Sequence, residues 1–115
     1  MKFHLPYRFL LKELYPVRPV IRKMLGGYAL LVDKKVFLLL REAATNPEFN
    51  GVFIAVLPEF YDELKIEIHN SRMEFDLDGS KNSWIFISED LPDFKEKVIK
   101  ACTLIKNNDK RIGKI

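Results

Sequence analysis

The chain has 115 residues, of which 48% are hydrophobic and 30% are charged, a balance typical of one globular domain with one core. Its formal net charge of +3 is mildly basic, so it permits contact with nucleic acid without indicating it. The single cysteine excludes an internal disulfide, and no apolar run reaches the roughly 18 residues that a membrane-spanning helix needs. We therefore expect one domain over residues 1–115, in the cytoplasm and away from the membrane.

The first predicted element is a helix over residues 5–14, which Pro16 ends because proline disfavours helical backbone at the residue before it. Its apolar stripe consists of Tyr7, Leu10, Leu11 and Leu14. Residues 16–19 are then predicted to be extended. Arg18, Arg22 and Lys23 form a small basic cluster before the first strand, where either solvent or a phosphate group would satisfy them.

Two apolar runs, residues 28–32 and 36–40, flank a short polar turn and predict a β-hairpin. Lysine is unfavourable where φ is positive, so we expect a three-residue loop over Asp33, Lys34 and Lys35. A phosphate loop is followed by a helix and carries a Lys-Ser/Thr pair, whereas Gly26-Gly27 is followed by a strand, so these glycines instead predict a bulge or a close backbone approach. Both strands are apolar on both faces, which predicts helices on one side and loops or a partner on the other.

The hairpin region contains Arg22-Lys23-Met24-Leu25-Gly26-Gly27-Tyr28-Ala29-Leu30, followed by Val32-Asp33 and Val36-Phe37. This run resembles the N-terminal domain of the TfoX/Sxy proteins. The chain departs from the usual family pattern at Leu25 (usually Phe), Ala29 (usually Gly) and Lys34 (usually the turn Gly). The resemblance implies a single-domain relative with an antiparallel sheet covered by helices, and a role like the family's regulation of competence-type gene expression.

Residues 42–51 are long for a hairpin connection, and we expect this loop to be mobile or to contact a partner. A strand over 52–57 and a helix over 58–69 follow, and residues 72–77 alternate strictly between apolar and charged side chains, as a half-exposed strand does. After a turn at Asp78-Gly79, residues 84–88 form the last predicted strand.

Asp90 is the predicted N-cap of a final helix. Its apolar stripe consists of Phe94, Val98, Ala101, Cys102 and Ile105. The whole chain thus predicts an α+β fold of order α-β-β-β-α-β-β-α, with an antiparallel sheet of about five strands covered by helices.

The sequence shows none of the common catalytic or metal-binding motifs. His4 and His69 have no partner at zinc-ligand spacing, and Cys102 lies on an apolar stripe, where a core role is expected. We therefore predict no cofactor and no enzymatic activity, and a regulatory or protein-interaction module whose partner is a protein. Homodimerisation is an alternative, because strands that are apolar on both faces could be covered partly by a second copy.

Two further hypotheses stay open. The first is nucleic-acid binding, which would require both ends of the chain to converge on one face. Its contact residues would be Arg18, Arg22, Lys23, Lys110, Arg111 and Lys114. The second is a small-molecule binder or enzyme in which the loop over residues 42–51 acts as a lid.

Overall fold

The computed structural model describes residues 5–68 and 83–114, and a five-stranded antiparallel sheet forms its centre. The strands follow one another in space in the order β1-β2-β3-β4-β5. They are β1 (Val20–Met24), β2 (Gly27–Val32), β3 (Lys35–Arg41), β4 (Gly51–Ala55) and β5 (Trp84–Ser88). The helices are α1 (Phe9–Leu14), α2 (Tyr61–Ile68) and α3 (Phe94–Lys106), with 3-10 turns at Pro47–Phe49 and Pro58–Phe60. The predicted α+β class, with an antiparallel sheet and helices, is confirmed.

The β2–β3 hairpin has a shorter turn than predicted. Lys35 already pairs with Val32, so the loop consists of Asp33 and Lys34 alone, with φ of 51° and 69°. Two positive φ values are those of a type I′ turn, whose twist matches the twist of the strands. The predicted three-residue loop is therefore wrong, and the lysine adopts the left-handed conformation that glycine adopts more easily.

β1 is a strand that the sequence reading did not separate from the approach to β2. It pairs antiparallel with β2 through a turn at Leu25 and Gly26, whose φ values are 52° and 77°. Gly27 lies against β3, since a Cβ atom there would collide with the carbonyl oxygen of Leu40. The predicted close backbone approach is therefore confirmed at Gly27, while Gly26 supplies the turn.

The two faces of the sheet belong to two apolar clusters. On one face, strand residues such as Leu38, Ile54 and Ile85 pack with side chains from all three helices. On the other face, the stacked rings of Phe53 and Phe86, with centroids 4.5 Å apart, form the middle of a second cluster. No side chain of the three described helices belongs to this second cluster, so helices cover one face, as predicted.

All three α-helices begin later than the sequence predicted, and a 3-10 turn precedes α2. Tyr7 has φ of 54°, a left-handed value outside the helical region, so α1 begins at Phe9 and not at residue 5. α3 begins at Phe94, and Asp93, rather than Asp90, occupies its N-cap position. At α2, residues 58–60 form the 3-10 turn and the α-helix begins at Tyr61.

Several predictions fall outside the described residues. They concern His4, His69, the strand over 72–77 and the turn at Asp78-Gly79. Along the described residues the order is α-β-β-β-β-α-β-α. It differs from the predicted order in two ways: β1 is an additional strand before the hairpin, and the predicted strand over 72–77 lies outside the described residues.

Candidate functional site

β1 lies at one edge of the sheet, and this edge is the best candidate for a functional surface. Within residues 5–68 and 83–114, β2 is the only strand that pairs with β1. An edge strand presents backbone N–H and C=O groups on its outer side, where an added strand can form a new ladder. The outer side of β1 is therefore a ready template for an extended partner.

Exposed apolar side chains lie on this strand and directly after it. Among the described residues, four large hydrophobic side chains are strongly exposed. Val20 on β1 is 62% exposed and Leu25, the residue after β1, is 39% exposed, while Tyr15 lies at the end of α1 and Ile66 on α2. Apolar surface that gathers in one place commonly marks a site of interaction.

Two exposed cations, Arg22 and Lys23, lie on β1, and a third, Arg18, lies just before it. Arg22 is paired with Ala29 and therefore lies on the second-cluster face, whereas Lys23 is paired with Tyr28 and lies on the helix-covered face. The Arg18 guanidinium lies 5.7 Å from the centroid of the Tyr15 ring, within the range of a cation–π contact. None of the three cations forms a salt bridge within the described part of the chain.

Arg111, in contrast, is engaged by carboxylates of the chain itself. Its Nη1 donates to Glu63 Oε2 at 2.7 Å and to Glu67 Oε1 at 2.9 Å, while its Nη2 donates to Asp109 Oδ2 at 2.6 Å. These hydrogen bonds, that to Asp109 foremost, raise the pKa of Arg111 above its ordinary value, and the same guanidinium lowers the pKa of the Asp109 carboxyl. Arg111 thus joins α2 to the C-terminal segment, residues 109–114, and is not available as an isolated cation.

Lys114 belongs to a second group, separated from β1 across the sheet. It forms a β-bridge with Val36, which pairs with Leu31, which in turn pairs with Val20 of β1. Three steps of about 4.8 Å, or about 14 Å in all, therefore separate the Lys114 backbone from β1. Its Nζ lies 5.4 Å from the centroid of the Trp84 ring. The six predicted basic residues thus form one group at β1 and another on the C-terminal segment, to which Lys110 also belongs.

The loop over residues 42–51 is fixed by a polar network. The guanidinium of Arg41 donates to the carbonyl oxygens of Thr45 and Asn46 at 2.8 and 3.0 Å, and to Asn50 Oδ1 at 2.7 Å. The buried Asn50 side chain in turn exchanges hydrogen bonds with the backbone N–H and C=O of Ala43, both at 2.9 Å. These bonds give the loop a defined conformation.

The sequence reading missed a contact between Tyr7 and Glu89. The Tyr7 hydroxyl donates to Glu89 Oε1 at 2.6 Å and lies 3.0 Å from the carbonyl oxygen of Arg41. Burial, followed by the hydrogen bond to Glu89, raises the pKa of Tyr7 above its ordinary value. A tyrosine that retains its proton this firmly is a poor proton donor in acid–base catalysis. Its hydroxyl contacts join residues 5–8 to the end of β3 and to the segment after β5.

Cys102 has the core position that the sequence predicted. It is fully buried in the helix-covered cluster, and burial raises the pKa of its thiol to about 12. The thiolate is the reactive form of cysteine, so this side chain is inert in the folded protein.

In the described ranges, no group of three or more His, Cys, Asp or Glu side chains is arranged to hold a metal ion. None of the helices in those ranges combines the length and the apolar character needed to cross a membrane.

Comparison of the chain with family models, with curated proteins and with solved structures found no match. The resemblance to the TfoX/Sxy N-terminal domain therefore stays a prediction, and the β1 edge is argued from its own geometry. The pattern that could have revealed β1 is the run of residues 20–24, in which the two cations interrupt an otherwise apolar stretch.

Proposed function

We propose that this chain is a non-enzymatic, regulatory protein-interaction module, and that its partner adds an extended acidic segment to the outer side of β1. The observation that carries the proposal is the combination, on and next to one edge strand, of exposed apolar side chains and of cations that form no salt bridge among the described residues. In this mode of recognition, main-chain hydrogen bonds supply affinity and alternate side chains supply specificity.

Charge favours an acidic partner over a second copy of the chain. Arg22 is the middle residue of the five in β1, so a symmetric antiparallel pair in which all five residues overlap would place Arg22 directly opposite its own copy. Like charges in that position destabilise a strand pair, whereas carboxylates opposite Arg22 and Lys23 stabilise it. Because these two cations lie on opposite faces of the sheet, the edge is suited to a segment with two consecutive acidic residues between apolar ones.

The family resemblance supports a regulatory role. The residues that carry it, 22–37, form most of β1, all of β2 and the start of β3, which places the similarity next to the proposed surface. Cytoplasmic location is part of the same proposal, in keeping with a single buried and reduced cysteine. Nucleic-acid binding receives less support, because Arg111 is already neutralised by three carboxylates of the chain.

The proposal is tested with a short synthetic peptide in which two consecutive Glu residues are flanked by Val residues, titrated into isotope-labelled protein and followed by amide chemical shifts. We expect the largest shifts at residues 18–25. The double substitution Arg22→Glu/Lys23→Glu should weaken binding about fivefold or more, since each opposite-charge pair across a strand contributes roughly 0.2–1 kcal/mol and reversal makes it repulsive.

The matched control is Lys12→Glu/Lys106→Glu, which changes the net charge equally at exposed positions on α1 and α3. It should leave the affinity close to that of the wild type. The same peptide with Lys in place of both Glu residues should not bind. Shifts that map elsewhere, or equal weakening by both double variants, would contradict the proposal. So would a dimer in solution that Arg22→Glu/Lys23→Glu dissociates, because the edge would then belong to a second copy.

A further inference from the structure

A groove of about 510 Å³ lies where the C-terminal segment crosses the start of β3. Backbone hydrogen bonds hold this segment in place. Val36 and Lys114 exchange N–H···O=C bonds of 2.8 and 2.9 Å, and the N–H of Gly113 donates to the carbonyl of Ala55 at 3.0 Å. The hydrogen bonds from Arg111 to α2 hold the same segment at a second point, so this part of the groove lining has a defined conformation.

Part of the groove lining is apolar and closely packed. Phe37, Leu57 and Ile112 line it together with Gly113. Gly113 has φ of 120°, and a Cβ atom at this position would lie 3.0 Å from Cε1 of the Phe37 ring. Only glycine combines that backbone conformation with so close an approach to the ring, and the result is a continuous apolar surface.

The groove lining also includes positively charged side chains. Lys35, Lys110 and Lys114 line the groove, and Asp109 is the one acidic residue that lines it. The Asp109 carboxylate already accepts hydrogen bonds from Arg111 at 2.6 and 2.9 Å, which neutralise it. Within the described part of the chain, neither Lys35 nor Lys110 forms a salt bridge. The groove lining therefore combines apolar side chains with two ammonium groups that have no carboxylate partner among the described residues.

We propose that this groove binds a small amphipathic organic anion, with its apolar body on Phe37, Leu57 and Ile112 and its charged group between Lys35 and Lys110. The volume lies within the range of roughly 300–1,000 Å³ usual for small-molecule sites, and apolar walls with a few placed polar groups are their usual lining. Neutral molecules of the same shape bind more weakly, because they leave both ammonium groups without a counter-charge. This site is separate from the β1 edge and does not depend on the function proposed for it.

The experiment compares two fluorescent probes that share an aromatic body. One is 8-anilinonaphthalene-1-sulfonate, which carries an anionic group, and the other is N-phenyl-1-naphthylamine, which is neutral. We expect the sulfonate to bind with one-to-one stoichiometry and to shift the amide signals of Phe37, Ile112 and Gly113. Lys35→Gln/Lys110→Gln should weaken its binding about tenfold, because the charge-assisted hydrogen bonds are lost. Lys12→Gln/Lys106→Gln, with the same loss of charge on the helices, should leave its affinity unchanged.

Wild-type protein provides a second test that needs no variant. Raising the ionic strength to about 0.5 M should weaken binding of the sulfonate probe but not binding of the neutral probe, since salt screens exposed charges. Equal affinities for the two probes, shifts located away from residues 37 and 112–113, or absence of sulfonate binding would each overturn the proposal. An affinity for the sulfonate that Lys35→Gln/Lys110→Gln leaves intact would overturn it as well.

Discussion

Replacing Arg111 by methionine tests how the C-terminal segment is held. Methionine keeps much of the apolar stem but removes the guanidinium, so Asp109 and Glu67 lose their shared cation. The side chains of Arg111 and Asp109 are each 14% exposed, that of Glu67 is 35% exposed and that of Glu63 is 64% exposed. The pair with Asp109 is therefore the most shielded from water, and the pair with Glu63 the least.

These exposures set the expected loss of stability. Breaking a buried ion pair costs about 3–5 kcal/mol, while an exposed pair contributes about 0–1 kcal/mol. We assign the pair with Asp109 somewhat less than the cost of a buried pair, reduce the contribution of Glu67 because it is partly exposed, and neglect the exposed Glu63. On this basis, Arg111→Met should lower the free energy of unfolding by about 2–3 kcal/mol. Urea denaturation followed by far-UV circular dichroism measures this change.

The loss should also depend on pH in a defined direction. The folded-state pKa of Asp109 is lowered, so its contribution is present above the unfolded-state pKa of about 3.9 and disappears as the pH falls through the folded value. The difference between wild type and Arg111→Met should therefore shrink at acid pH. Arg8→Met, which removes an exposed arginine from the N-cap position of α1, should cost little at any pH. A loss below about 0.5 kcal/mol, or one that is constant with pH, would refute the reasoning.

Three further predictions concern single positions. Lys34→Gly should stabilise the protein by about 0.5–1 kcal/mol by relieving a left-handed lysine, whereas Lys35→Gly, within β3, should destabilise it. Gly27→Ala should lower the free energy of unfolding by about 3 kcal/mol, because the new Cβ atom collides with the backbone. Gly26→Ala, which has open space around it but a positive φ, should lower it by about 1–2 kcal/mol. Thermal or urea unfolding distinguishes the two variants. The Cys102 thiol, with a pKa of about 12, should resist a thiol reagent at neutral pH until the protein is unfolded in urea.

The elements that were predicted correctly are those with local patterns. The β2–β3 hairpin follows from two apolar runs around a polar turn, and the buried stripe of α3 follows from residues at helical spacing, including Val98 and Cys102. The turn was predicted less well, because the twist of the paired strands outweighs the cost of a positive φ at Lys34. β1 was missed because its pairing with β2 depends on neighbours, while its own sequence alternates poorly.

The candidate surfaces depended still more on the tertiary structure. Six basic residues looked equivalent in the sequence, yet Arg111 meets Glu63 and Glu67, which lie 48 and 44 positions earlier in the chain. Folding thus neutralises one cation, leaves Arg22 exposed on an edge and places Lys35 beside a groove formed by the chain's last residues.

Apolar periodicity and turn chemistry act over a few neighbouring residues, so the α+β class, the central hairpin and the core position of Cys102 could be inferred from the residues alone. The fold was needed to show that β1 is an edge strand among the described residues, which cations are already compensated and where lysines line an apolar groove. Exposure and charge compensation are set by residues distant in the chain, whose positions no local pattern specifies.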